Sequence, residues 1–281
     1  MAASPLPDRI DGRHWGRRGA AVTSDAGDTG DLRRTLGSRC VGFARSALTV
    51  AIASGAVSVV FLHGGGRSGR AAWPVQAAAI SDGCVFMERS GDRDDPQTDA
   101  SRVLSALGPC ADLVAHSYGA LAAILAAARS SAQVRTLMLC EPVCMSVARG
   151  SARVEEHVTA LAPVFALANA PAVSDQEFGR CFLEALGGPA AAGTLEALGA
   201  LGRRLRATPP PWEVPVPATI VSVVPTLVVT AGGGTMYGEV AQALGAHGAE
   251  RLVVSGFGHR PQDDPSAMVW MQSFWESRGR R

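Results

Sequence analysis

The segment Val114-Ala115-His116-Ser117-Tyr118-Gly119-Ala120 ends an apolar run and opens an alanine-rich stretch with helical patterning. A chain that leaves a buried strand and enters a helix within so few residues has to turn sharply, and backbones then pass so close that only small flanking side chains fit. Ala115 and Gly119 supply them. Small-x-Ser-x-Gly is the pattern of a nucleophile elbow, a turn that lifts a serine hydroxyl clear of a sheet, with Ala115 standing where the usual form has its first glycine. The competing reading is a serine that only caps the helix behind it.

Short apolar runs at 58–62, 84–88, 112–116, 136–140, 226–230 and 252–255 alternate with longer helical patterns, the clearest at 118–129. Runs this short and this continuously apolar, separated by helices, predict a mostly parallel, doubly wound α/β sheet covered on both faces. The 281 residues, 47% hydrophobic and 18% charged, suffice for one large core. Between 140 and 226 the patterning turns helical. Val154, Val158, Leu161 and Phe165 share one helical face, and Ser174-Asp175-Gln176-Glu177 is a capping box ahead of Phe178, Cys181, Phe182 and Leu186. Leu195, Leu198, Leu201 and Leu205 mark a third helix, and Pro209-Pro210-Pro211-Trp212 is a stiff connector behind it. The expected organisation is a disordered 1–18, a core from 19–145 and 216–281, and a helical insert at 146–215. Part of the first 45 residues, rich in Gly, Arg and Asp, is expected to form leading antiparallel strands.

A net charge of +1 gives no electrostatic reason for nucleic acid or an anionic membrane as partner. Every basic residue is arginine, a mark of composition bias. Cys40, Cys84, Cys110, Cys140, Cys144 and Cys181 form no CxxC pair and read as buried free thiols, which implies a cytoplasmic location. Cys140 and Cys144 lack the paired histidines of a zinc site, so no metal is expected. Arg9, Arg13, Arg17 and Arg18 have no apolar stretch behind them, unlike a signal peptide, and the apolar 48–62 is too short to span a bilayer.

Two further motifs flank the serine. The run 59–62 ends in His63-Gly64-Gly65-Gly66, and far downstream Arg251-Leu252-Val253-Val254 leads into Ser255-Gly256-Phe257-Gly258-His259. In this order, a His-Gly-Gly-Gly loop, an elbow serine and a late Gly-His, the chain resembles the α/β-hydrolase superfamily from about residue 57 to 275. Phe86-Met87-Glu88-Arg89-Ser90-Gly91-Asp92 and Gly258-His259-Arg260-Pro261 resemble segments of its esterase-like members. The resemblance implies a fold of the α/β-hydrolase type with a helical cap insert, and a Ser-His-acid triad that needs neither metal nor organic cofactor. Ser117 would be the nucleophile and His259 its general base; the backbone N–H groups of Gly65 and Tyr118 would form the oxyanion hole. Trp212 would line the entrance to a substrate site. His63 is expected to order its loop and His116 to shape the elbow, while His14, His157 and His247 read as surface residues.

The triad acid departs from the family's usual place. After the strand ending at Thr230 the chain reads Ala231-Gly232-Gly233-Gly234-Thr235-Met236-Tyr237, with no carboxylate before Glu239. Some relatives carry the acid one strand earlier, where this chain has Glu141, 24 residues after Ser117 and followed by Pro142. Glu141 is the assigned acid, with Glu239 and Asp263 as lesser candidates. A dehalogenase is disfavoured, because its nucleophile would be an aspartate. The expected activity is cleavage of a carboxylic ester, lactone or thioester of a small molecule through an acyl-serine intermediate. Acyl transfer, C–C bond hydrolysis, or ligand binding with little turnover would use the same residues. Gly64-x-Gly66-x-x-Gly69 with Glu88 behind the next strand offers a remote alternative, a dinucleotide binder, which Trp73 and Pro74 weaken by interrupting the helix that should follow.

Overall fold

A computed structural model describes residues 58–89, 95–187 and 194–279. The expectations for residues 1–57, Cys40 and His14 among them, and for Ser90, Gly91 and Asp92 lie outside the described residues.

Six described strands, β1 (Val59–Leu62), β2 (Cys84–Met87), β3 (Ala111–His116), β4 (Val134–Cys140), β5 (Thr226–Thr230) and β6 (Glu250–Val253), form one sheet in the order β2-β1-β3-β4-β5-β6. Every pairing is parallel. Helices α1 (Pro74–Ala79), α2 (Pro96–Ala106) and α3 (Gly119–Arg129) connect the first four strands. Then α4 (Ala152–Phe165), α5 (Asp175–Ala185) and α6 (Leu195–Arg206) fill the stretch between β4 and β5, before α7 (Met236–Ala246) and α8 (Ala267–Gly279).

Because side chains alternate along a strand, the apolar runs feed two cores. Val60, Leu62, Leu113, Ala115, Leu137, Leu139 and Val228 pack with α2, α3 and α7. Val59, Phe61, Val114, Met138, Cys140, Leu227 and Val229 pack on the other face with Trp73 and with Met268, Met271 and Phe274 of α8. The nine residues Gly119 to Ala127 of α3 are all buried, which small side chains permit. Among the described residues no helix is long and apolar enough to cross a membrane.

All six strands lie within two residues of their predicted bounds at each end. The edge strand β6 is displaced: 252–255 was expected, and Glu250–Val253 pairs instead. An edge strand needs apolar contact on one face only, so its exposed Val253 and charged Glu250 and Arg251 read poorly as a strand. Pairing with β5 ends at Thr230 and Val253, after which Gly256 and Gly258 turn the chain with φ of +96° and +52°.

Candidate active site

Register brings the strand ends into one row: Leu62 lies beside Ala115, His116 beside Cys140, Cys140 beside Val229, and Thr230 beside Val253. His63, Ser117, Glu141 and Ala231 each follow directly, and the loop behind β6 carries His259. The row crosses the place where the chain, having gone from β1 to β2 on one side, returns to β3 on the other. In α/β sheets that reversal leaves a crevice at the carboxyl ends of the strands.

Ser117 (φ +54°) and Glu141 (φ +47°) are the two non-glycine residues with positive φ among those described. Such a conformation costs an L-residue roughly 1–2 kcal/mol and persists only where the surroundings hold it. Here the ladder does so: Ser117 N–H donates to Cys140 O at 2.9 Å and Glu141 N–H to Val229 O at 2.8 Å. Small residues are obligatory beside the turn. A Cβ on Gly64 would come within 2.8 Å of Ser117 Cβ, and one on Gly119 within 2.7 Å of His63 O.

His259 Nε2 lies 3.0 Å from Ser117 Oγ, and its Nδ1 lies 3.4 Å from Glu141 Oε2. The buried Glu141 accepts a second hydrogen bond, 2.6 Å, from the Ala231 N–H. The glycine-rich loop after β5 thus contributes an amide that fixes the carboxylate from β4. Of the three carboxylates considered, Glu141 is the one that reaches the histidine. Glu239 caps α4, accepting from Arg153 N and Val154 N at 2.9 and 3.0 Å. Asp263 is committed to Arg260 at 2.6 and 2.8 Å, which also ties the loop behind His259 to Ala72 O.

Two aromatic rings bracket His259, Tyr237 stacked at 4.7 Å and His116 tilted at 4.7 Å. Burial first, and the charge of His259 second, push the His116 pKa well below the ordinary imidazole range, so its Nε2–H is a fixed donor to His259 O at 2.7 Å. His63 is also buried and is held by two bonds: Arg89 N–H donates to its Nε2, and its Nδ1–H donates to Gly64 O at 2.7 Å.

Gly65 and Tyr118 line the same cavity as Ser117. The Tyr118 N–H sits at the opening of α3, where helix amides have no partner within the helix. Both residues are tied to the segment around the end of α6, because Arg204 donates to Gly65 O at 2.7 Å and Tyr118 OH donates to Pro209 O at 2.8 Å. Sequence reading missed Arg204, since an arginine on an amphipathic helix carries no sign of its partner.

The cavity measures about 520 Å³, with walls that include Val143, Met145, Leu161, Phe165, Phe182 and Leu201. Two expectations are corrected here. Pro211 of the connector lines the cavity, whereas the Trp212 ring packs edge-on against Phe165 at 5.2 Å, behind that wall. His157, read as a surface residue, is partly buried and lines the cavity from α4: three residues after Val154 and four before Leu161, it shares the helical face of those apolar residues. His247 is exposed as expected. The Gly-rich loop after β1 also lacks the form of a dinucleotide cradle. Gly69 (φ +45°) opens a short 3-10 turn before a fully buried Trp73, and a Cβ there would overlap the Glu88 carboxylate.

A sequence profile described as the alpha/beta hydrolase family matches residues 59–269. No curated protein sequence matches the chain. Among solved structures it is similar to NosK from Streptomyces actuosus, at 24% identity over 80% of this chain and 99% of that one, TM-score 0.50. MenH from S. aureus aligns at 14% identity over 79% and 94% of the two chains, TM-score 0.57. A carboxylesterase structure from the thaumarchaeon Nitrososphaera gargenis aligns at 10% identity over 84% and 92%, TM-score 0.50. These likenesses are of fold.

Proposed function

Because the chain belongs to the alpha/beta hydrolase family, we propose that it cleaves a carboxylic ester, lactone or thioester of a small molecule through an acyl-serine intermediate. The observation that carries this reading is the relay Glu141–His259–Ser117, with gaps of 3.4 and 3.0 Å, opening on an apolar cavity. Serine is a weak nucleophile at its own pKa and needs a base within hydrogen-bond reach. Ser117 Oγ attacks the carbonyl carbon as His259 Nε2 takes its proton. The Tyr118 and Gly65 N–H groups receive the negative charge on the carbonyl oxygen, each donor of this kind being worth roughly 3 kcal/mol. Collapse breaks the bond to the leaving oxygen or sulfur, which takes the proton from His259. Water then repeats the sequence on the acyl-enzyme and regenerates Ser117. Glu141 holds the imidazole in the tautomer that accepts from serine and offsets the charge it gains.

Residues 146–215 act in this reading as a cap whose apolar wall receives the acyl chain. The five free cysteines among the described residues suit a cytoplasmic location. A p-nitrophenyl ester series from acetate to decanoate tests the proposal. The expected result is turnover with an optimum at intermediate chain length; release no faster than the buffer blank across the series contradicts it.

A further inference from the structure

Not every polar side chain of the cavity has a part in the acyl transfer just described. His157, from α4, lines the same cavity as Ser117 and His259. Its ring meets Tyr237 edge-on at 6.5 Å, and Tyr237 in turn stacks on His259 at 4.7 Å, so His157 stands one ring away from the relay. Among the described residues no hydrogen bond reaches its imidazole. The Thr235 Oγ1 already accepts from Gly238 N–H and the Tyr118 hydroxyl already donates to Pro209 O, whereas the Tyr237 hydroxyl, like His157, has no hydrogen bond among the described residues.

Burial first, and the charge of His259 second, hold the His157 pKa down to about 4, so the ring is neutral at ordinary pH. A neutral imidazole keeps one N–H donor and one acceptor nitrogen. No arginine, aspartate or glutamate is among the described residues lining the cavity, so a charged group on a substrate would meet no counter-charge there. Lone hydrogen-bonding groups in apolar walls discriminate strongly, because a substrate without the matching atom leaves them unpaired.

We propose that His157 is a specificity-determining residue that hydrogen-bonds one uncharged oxygen on the acyl chain of an otherwise apolar ester, and that the cavity disfavours acyl chains bearing a charge. The inference rests on the acyl-serine reading for the word ester, but not for the binding it describes.

Non-hydrolysable N-methyl amides separate the two. Calorimetry would compare N-methylhexanamide with the N-methyl amides of 4-oxopentanoic, 5-oxohexanoic and 6-oxoheptanoic acids, and with the anionic monoamide of adipic acid. For the parent protein at pH 7.5, at least one oxo amide should bind about 5–10-fold more tightly than N-methylhexanamide, as expected for one hydrogen bond, and the anion should bind most weakly. His157→Phe should erase the oxo advantage, and His157→Gln, which keeps a donor, should restore part of it. No advantage for any oxo amide, or an advantage that survives in a folded His157→Phe protein, overturns the proposal. So does an anion bound as tightly as the hexanamide. If the binding pattern appears while p-nitrophenyl esters are not turned over, the acyl-serine reading fails and the His157 assignment stands; turnover without the pattern means the reverse.

Discussion

Ser117, Glu141 and the loop bearing His259 hang from strands β3, β4 and β6, the first two almost wholly buried, and their backbones are fixed by ladder hydrogen bonds and glycine contacts. The helices α4 to α6 are built otherwise. Only Phe178 and Gly179 of α5 are buried, and the insert has a small cluster of its own, Val164, Phe178 and Leu205. Where α5 and α6 meet they do so backbone to backbone, for a Cβ on Gly179 would lie 2.3 Å from Leu198 O. The sheet therefore sets the positions of Ser117 and Glu141, while apolar wall residues of the insert such as Leu201 touch neither of them. Substitutions in the first region should abolish chemistry; those in the second should redistribute it among substrates.

The sharpest contrast comes from Ser117 itself. Ser117→Ala should lower kcat on any ester by at least about 10⁴-fold with little change in melting temperature. Ser117→Gly should be equally inactive yet more stable than the alanine variant by about 1 kcal/mol, because glycine adopts the +54° φ without strain. Equal stability of the two in denaturant titrations would mean that the turn stores no strain.

Next in size is the acid. Glu141→Gln keeps the shape and the Ala231 contact while removing the charge, and should cost roughly 10²–10⁴-fold in kcat with a much smaller change in KM. Glu239→Gln and Asp263→Asn weaken a helix cap and an arginine pair by removing their charge, and should stay within about tenfold of the parent. An active Glu141→Gln beside an inactive Asp263→Asn would reverse the assignment.

A smaller effect is expected from the insert. Leu201→Trp fills part of the cavity, so the ratio of kcat/KM for p-nitrophenyl octanoate to that for acetate should fall by about tenfold or more. An unchanged ratio would mean that the acyl chain does not enter between α6 and the sheet.

The smallest effect is on stability against pH. His116 is neutral in the fold because its pKa lies well below 6.5, and His157 shifts the same way, to about 4. The unfolded chain binds protons that the folded chain refuses between those values and about 6.5, so stability should fall as pH drops through that window. Denaturant midpoints at pH 7.5 and 5.0 should differ less for His116→Gln than for the parent; an equal drop would show that His116 carries none of it.

How much of this was legible in the sequence followed the same division. The elbow could be read because its small residues answer to local backbone sterics, and Glu141 was assigned because some members of the family the chain resembles carry the acid after that strand, there being no carboxylate near Ala231. The three helices of the insert were legible from their apolar spacing. What they face was not: His157 was read as a surface residue, Arg204 gave no sign of the Gly65 carbonyl, and Trp212 was expected to line the entrance where its neighbour Pro211 lines the cavity. Those facts depend on how the insert docks, which no local pattern encodes. The β6 displacement has the same root, since an edge strand takes its register from its partner.

The central claim, a covalent acyl-enzyme on Ser117, is tested most directly by intact-protein mass spectrometry with a fluorophosphonate, followed by peptide mapping. The account predicts a single adduct on the peptide containing Ser117, absent from Ser117→Ala and much slower to form in Glu141→Gln. No adduct on the folded parent protein, or one that maps to another residue, would contradict it.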